Sequence, residues 1–148
     1  MPVDQTILDD NTAQTRRLEA LVARLSDADL ARDLGEGWTV AVALAHLAFW
    51  DRRAVYGLRR WAADGTPVNA DDDHILNEAL VAQWRALPAR RAAELAIEAA
   101  RAVTAAVEGL SEQVASDVLA RGLDWLLHRA RHRRDHIEQI EAAVGGRA

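Results

Sequence analysis

The 148-residue sequence contains no cysteine and no lysine, and only three prolines, one methionine, one tyrosine and one phenylalanine. Without cysteine there is no disulfide, no thiolate metal site and no cysteine nucleophile, so any thiol chemistry depends on a thiol brought in from outside. No apolar run approaches the roughly 20 residues that span a bilayer. The opening stretch MPVDQTILDD lacks the basic and apolar regions of a secretory signal, which predicts a cytoplasmic protein. The net charge of −5 gives phosphate backbones no general attraction. Arginines 129, 131, 133 and 134 form the one dense basic run. Asp124, Asp135, Glu138 and Glu141 are interleaved with it or flank it, which reads as a mixed, solvated helix face.

Half of the residues are hydrophobic, enough for a sizeable core. Their spacing is helical throughout, with no alternating β-branched run to make a strand. A first helix is expected from about Asp4 to Leu25, and a long second one is capped by Thr39 and ends before Asp64–Pro67. A shorter helix over DDDHILNEALVAQWRAL precedes Pro88, and another runs from Ala89 to Gly109. A last one is expected from Ser116 or Asp117 to Gly145 and Gly146. The fold class predicted is all-α: one domain over residues 1–148, four long helices bundled with one short extra helix.

In the last helix His132 and His136 fall beside the apolar stripe of Leu119, Leu123, Leu126, Leu127, Ala130, Ile137 and Val144. They share a column with Trp125, Arg129 and Ile140, and Arg129 is a candidate to hold a substrate carboxylate or a surface salt-bridge partner. Residues four apart on a helix can aim two imidazoles at one ion. Without the glutamate of a zincin motif the spacing is also compatible with two incidental rings. His128, one turn earlier, turns toward the polar side and reads as a surface or outer-sphere residue. His46 flanks the stripe of the second helix in a column with Trp50. It is a candidate third ligand, or a core-edge histidine bonded to a carbonyl. Asp51 lies in that stripe and needs a cationic partner, for which Arg16 or Arg17 is available. His74, near the start of the third predicted segment, is a fourth ring near a cleft or, more commonly for such a position, a solvated residue; Asn77 and Glu78 are within reach of the same cleft. Trp50 and Trp125 are core residues or pocket walls.

The stretch GWTVAVALAHLAFWD (residues 37–51) resembles the N-terminal motif of the DinB/YfiT-like superfamily, in particular its mycothiol-dependent maleylpyruvate isomerase branch. HRRDHIEQI (residues 132–140) resembles that family's last-helix signature. DHILNEALVAQWRAL is similar to the asparagine-bearing segment between the two. The resemblance implies an up-down-down-up four-helix bundle and a three-histidine site for a divalent metal, zinc or nickel. The ligands carried over are His46, His132 and His136. It also implies a low-molecular-weight thiol cosubstrate, a small-molecule substrate and thiol-dependent transferase or detoxifying activity. A metal-dependent hydrolase and a non-catalytic small-molecule or stress-related binding protein are the alternatives, and homodimerisation is compatible with such bundles. Two departures stand out. Val42 occupies the place of an acid common in this branch, so the capping box is missing. The isomerase carries a further C-terminal domain that these residues lack, which argues against maleylpyruvate itself.

Overall fold

Seven helices, one 3₁₀ turn and a two-stranded ribbon make up the computed structural model, which describes residues 3–69 and 73–145. Asp71, Asp72 and Gly146, expected at helix ends, lie outside the described residues. Asp4 accepts the backbone N–H of Thr6 and starts α1 (Gln5–Arg24). Ser26 and Asp29 form a reciprocal capping box on the single-turn α2 (Asp27–Leu30). The ribbon β1 (Asp33–Gly35) and β2 (Trp38–Thr39) follows. No strand was expected in the break before Thr39. Positive φ at Gly35, Glu36 and Gly37 turns the chain back on itself there.

Thr39 caps α3 (Val40–Asp64) through the N–H of Val42, and Gly65, left-handed at φ 76°, ends it. Then come α4 (Asp73–Ala86), α5 (Ala89–Glu108), α6 (Glu112–Ala120) and α7 (Ala130–Val144). Side-chain pairs fix the helix directions. Asn11 reaches Leu127 and Ala130, and Arg17 reaches Glu141, so α1 and α7 are parallel. Thr15 meets Thr104 and Glu19 meets Arg101, so α1 and α5 are antiparallel. His46 meets His132, and Asp51 meets Arg129, so α3 opposes α7. The order is therefore up, down, down, up over α1, α3, α5 and α7. The two consecutive down helices require the chain to return along the bundle between them, and the segment bearing α4 provides that crossover.

The small residues Ala92, Ala93, Ala96, Ala99 and Ala100 of α5 are all buried, and α3 makes its most extensive helix contact on this face. One apolar cluster joins α1, α3, α5 and α7 around Leu18, Leu44, Leu47 and Ile137. A second joins Ala54, Leu58, Trp61, Val103 and Leu126. Among the described residues no helix is long and apolar enough to cross a membrane.

The expected single last helix is two. Gly122 takes a left-handed φ of 70° after Arg121. Its N–H bonds Leu119 O, and the Leu123 N–H bonds Val118 O, the paired closure that ends an α-helix. A 3₁₀ turn over Asp124–Leu126 carries the chain to α7. Arg129 and Arg133, expected on a solvated face, are buried. The reason is Asp51, whose partners are these two arginines of α7 and not Arg16 or Arg17 of α1.

Candidate metal centre

Three histidines reach one point because α3 and α7 are locked in register just beyond them. Asp51, on α3, is 2% exposed. Its Oδ1 accepts from Arg129 Nε at 2.9 Å and its Oδ2 from Arg133 Nη2 at 3.1 Å. Arg133 also donates to Thr15 Oγ1 and Asn11 O of α1. Asn11 in turn accepts the N–H of Ala130 at 2.9 Å and donates to Leu127 O at 2.8 Å. Helix α7 has no capping side chain of its own at Arg129. Asn11 supplies the cap from another helix, satisfying a terminal N–H that would otherwise be orphaned. Two guanidiniums against one carboxylate leave this buried cluster with a surplus of one positive charge.

One turn of α3 before Asp51, His46 faces His132 and His136. The three rings stand with centroids 4.8, 4.8 and 4.9 Å apart, and one candidate ligand nitrogen from each lies within 4.8 Å of the others. His46 Nε2 and His132 Nε2 are 2.8 Å apart. His136 Nδ1 bonds Gln139 Oε1 at 2.9 Å. A carboxamide oxygen only accepts, so that bond places the proton on Nδ1 and leaves the Nε2 lone pair of His136 free. An ion held at about 2.0–2.1 Å from three nitrogens needs them roughly 3 Å or a little more apart, so the cluster fits a divalent ion with small adjustments.

The electrostatics favour the ligand form. Burial pushes the His46 pKa down to about 3, with the neighbouring His136 adding to the effect and the Asn77 side chain opposing it. Burial, then the Arg129 charge, takes His132 to about 2. Burial also lowers His136, against the opposing pull of Gln139 and Asp135. All three rings are therefore neutral at pH 7 and need lose no charge to bind an ion. The Nδ1 of His46 is buried with no hydrogen-bond partner.

A cavity of about 530 Å³ opens onto His46 and His132. Trp50, Asp73, His74, Asn77, Trp125 and Arg129 line it. Asn77 Oδ1 accepts from Trp50 Nε1 at 3.0 Å, which ties α4 to α3 across the cavity floor. Glu78 faces a neighbouring recess instead. His128 is elsewhere: it lies before α7 and bonds Asp10 of α1 at 2.8 Å, beside a separate surface recess. The break at Gly122 removes it from the helix face it was assigned to. Arg129 is not free to hold a substrate carboxylate. Its Nε is committed to Asp51, Nη1 donates to Trp125 O at 3.1 Å, and Nη2 stands 3.4 Å from His132 Nδ1.

Sequence reasoning gave no site role to Trp38, Trp84, Gln139 or Arg133. Trp38 lies parallel to the His136 ring and edge-on to His46, and Trp84 closes on His46 from α4. Arg133 had a usable signal: it sits four residues before Ile137, on the apolar stripe itself.

Residues 11–140, a span that contains the three histidines, all of α3 and α7 as far as Ile140, match the DinB superfamily. The chain belongs to the DinB superfamily. No curated protein and no solved structure shows significant similarity to it. The match in this DinB-superfamily chain begins at Asn11, the residue that caps α7, and ends at Ile140 in the core. The helical fold and the three-histidine cluster thus agree with the family, at the level of a site fit for a metal.

Proposed function

We propose that this chain is a divalent-metal-dependent enzyme whose ion is held by His46, His132 and His136 and whose nucleophile is an external low-molecular-weight thiol. The observation that carries the reading is the pairing of three neutral, converging imidazoles with a cavity whose described lining holds no hydroxyl, amine or thiol nucleophile. Among the described residues that lining consists of histidine, tryptophan, aspartate, asparagine and arginine. Three neutral ligands leave a bound ion its full charge, and such an ion lowers the pKa of a bound thiol or water. Zinc or nickel suits three imidazole donors.

The chain's own residues hold and exclude. Trp50 and Trp125 offer apolar faces for the body of a small electrophile, and Trp38 and Trp84 shield the rings from bulk water. His74 and Asp73, at the exposed rim, are placed to take the proton that a thiol gives up. The mycothiol-dependent branch of the superfamily is the relative this reading favours, on the strength of the GWTVAVALAHL and HRRDHIEQI motifs. A cytoplasmic setting, where such thiols stay reduced, belongs to the same reading.

Hydrolysis is the second reading, favoured by the same lack of a protein nucleophile, since water can fill that place. The test uses purified protein loaded with zinc or nickel and 1-chloro-2,4-dinitrobenzene as electrophile. Turnover only with added thiol supports transfer. Ester turnover with water alone supports hydrolysis. Metal uptake without turnover in either assay leaves a binding protein.

A further inference from the structure

The three rings are reached from two separate openings. Among the described residues, the cavity of about 530 Å³ is lined by His46 and His132 but not by His136. A recess of about 450 Å³ is lined by His136 and Gln139 of α7 and by Leu34, Gly35, Glu36 and Trp38 of the ribbon, and by neither of the other two rings. Trp38 stands between this recess and the cluster. Its ring lies parallel to that of His136 with centroids 6.4 Å apart, and edge-on to that of His46 at 4.9 Å. It belongs to a ribbon of two short strands, whose tip is held by Arg85 donating to Gly37 O at 2.8 Å. Two strands alone are only marginally stable, so Trp38 gives way at less cost than a side chain packed between helices.

The two openings differ in charge. Arg129 lines the cavity at its inner end and belongs to the buried cluster with a surplus positive charge. Arg53 adds a second guanidinium, over the faces of the cavity walls Trp50 and Trp125 at 5.8 and 5.4 Å from the ring centroids. Asp73, at the exposed rim, is the one carboxylate of the described cavity lining. In the recess the one charged residue of the described lining is Glu36, which is exposed at the ribbon tip. A divalent cation entering by the cavity therefore meets a fixed positive charge beside the rings. One entering by the recess meets a carboxylate and then the rings.

We propose that the ion and the organic substrate use different openings: a divalent cation is steered in past Glu36, crosses the recess and reaches the rings by displacing Trp38, while the tryptophan-walled cavity is left to the substrate. This rests on the metal reading of the site. Glu36 lies outside the ligand cluster itself, which is His46, His132 and His136. Its charge therefore governs the rate of loading far more than the final affinity. With separate openings, the ion can be loaded or exchanged while the cavity is occupied.

Stopped-flow mixing of metal-free protein with nickel tests this, read by quenching of tryptophan fluorescence, since Trp38 and Trp84 lie against the rings. Glu36→Lys is expected to slow association about tenfold or more at low salt, with a difference that shrinks as salt is raised. Asp73→Lys, the same charge reversal at the rim of the cavity, should leave the rate within about twofold of wild type. Trp38→Phe, a smaller partition, should load faster, with Trp84 still reporting. Circular dichroism checks that each variant is folded. Asp73→Lys slowing association as much as Glu36→Lys overturns the proposal, as does Glu36→Lys within about twofold of wild type or Trp38→Phe that loads no faster. Wild type that binds no nickel at equilibrium overturns the underlying metal reading, a result distinct from any of these.

Discussion

Replacing Asp51 with asparagine removes the one anion between two buried guanidiniums. Wild type buries a surplus of one positive charge at this point, and Asp51→Asn doubles it. The carboxamide keeps an oxygen for one arginine but turns an N–H₂ toward the other. Breaking a buried ion pair by deleting one partner costs about 3–5 kcal/mol. Against a total stability of about 5–15 kcal/mol, this is a large fraction. At about 3 °C per kcal/mol for a chain of this size, the melting temperature should fall by roughly 10–15 °C. Arg129→Met provides the control, because it leaves Arg133 and Asp51 as a neutral pair; it should cost less than half as much. Thermal melts and urea titrations followed by far-ultraviolet circular dichroism would report both. Asp51→Asn within about 1 kcal/mol of wild type, or less harmful than Arg129→Met, would refute the assignment of Asp51 as the anion that locks α3 to α7; the 1 kcal/mol bound is the scale of an ordinary surface change.

Three further outcomes are expected. His132→Ala and His136→Ala should each reduce zinc or nickel content, measured by elemental analysis, from near one ion per chain to below about a tenth, since two imidazoles seldom hold an ion alone; retention of metal in either variant would remove that residue from the ligand set. Metal-free protein should lose stability as pH falls below about 6.5, because the unfolded chain protonates its histidines there while folded His46 and His132 stay neutral until about 3 and 2. The slope is about 1.4 kcal/mol per pH unit for each ring, so roughly 3 kcal/mol per pH unit for the two and about 5 kcal/mol in all between pH 6 and 4, and urea midpoints flat across that interval would contradict the burial of neutral rings. Asn11→Ala should cost about 2–3 kcal/mol, having lost the Ala130 cap and the Leu127 bond together, and should lower hydrogen-exchange protection first in the opening turn of α7.

Much of the site was legible because helix periodicity alone puts His46 and His132–His136 beside their apolar stripes, and such flanks line clefts. Trp50, in the His46 column, lines the same cavity for that reason. What periodicity does not carry is phase across a break. Reading α6 and α7 as one helix placed His128 on the wrong element, although Gly122 after an alanine- and leucine-rich run is a helix-stop signal. The same limitation hid the partners of Asp51. Its burial demanded a cation, but which arginine answers depends on the register between two distant helices, and a run such as HRARHRRDH resembles a solvated face until that register is known.

The buried charges explain why that register is specified at all. Ala130, Ile137, Ile140 and Val144 of α7 would pack against the core in more than one axial position, since apolar contacts are non-directional. A one-turn slip of α7 along α3 would still bury them. It would also leave Asp51 with one of its two arginines and strand the other, and an unpaired buried charge is far more costly than imperfect packing. The Asn11 cap adds a second fixed point, because only one position of α7 brings the Ala130 N–H to Asn11 Oδ1. His132 lies within one turn of both anchors and His136 within two. Their convergence on His46 is therefore set by polar contacts that tolerate no slip, and a site needing nitrogens placed to within a fraction of an ångström calls for that kind of constraint.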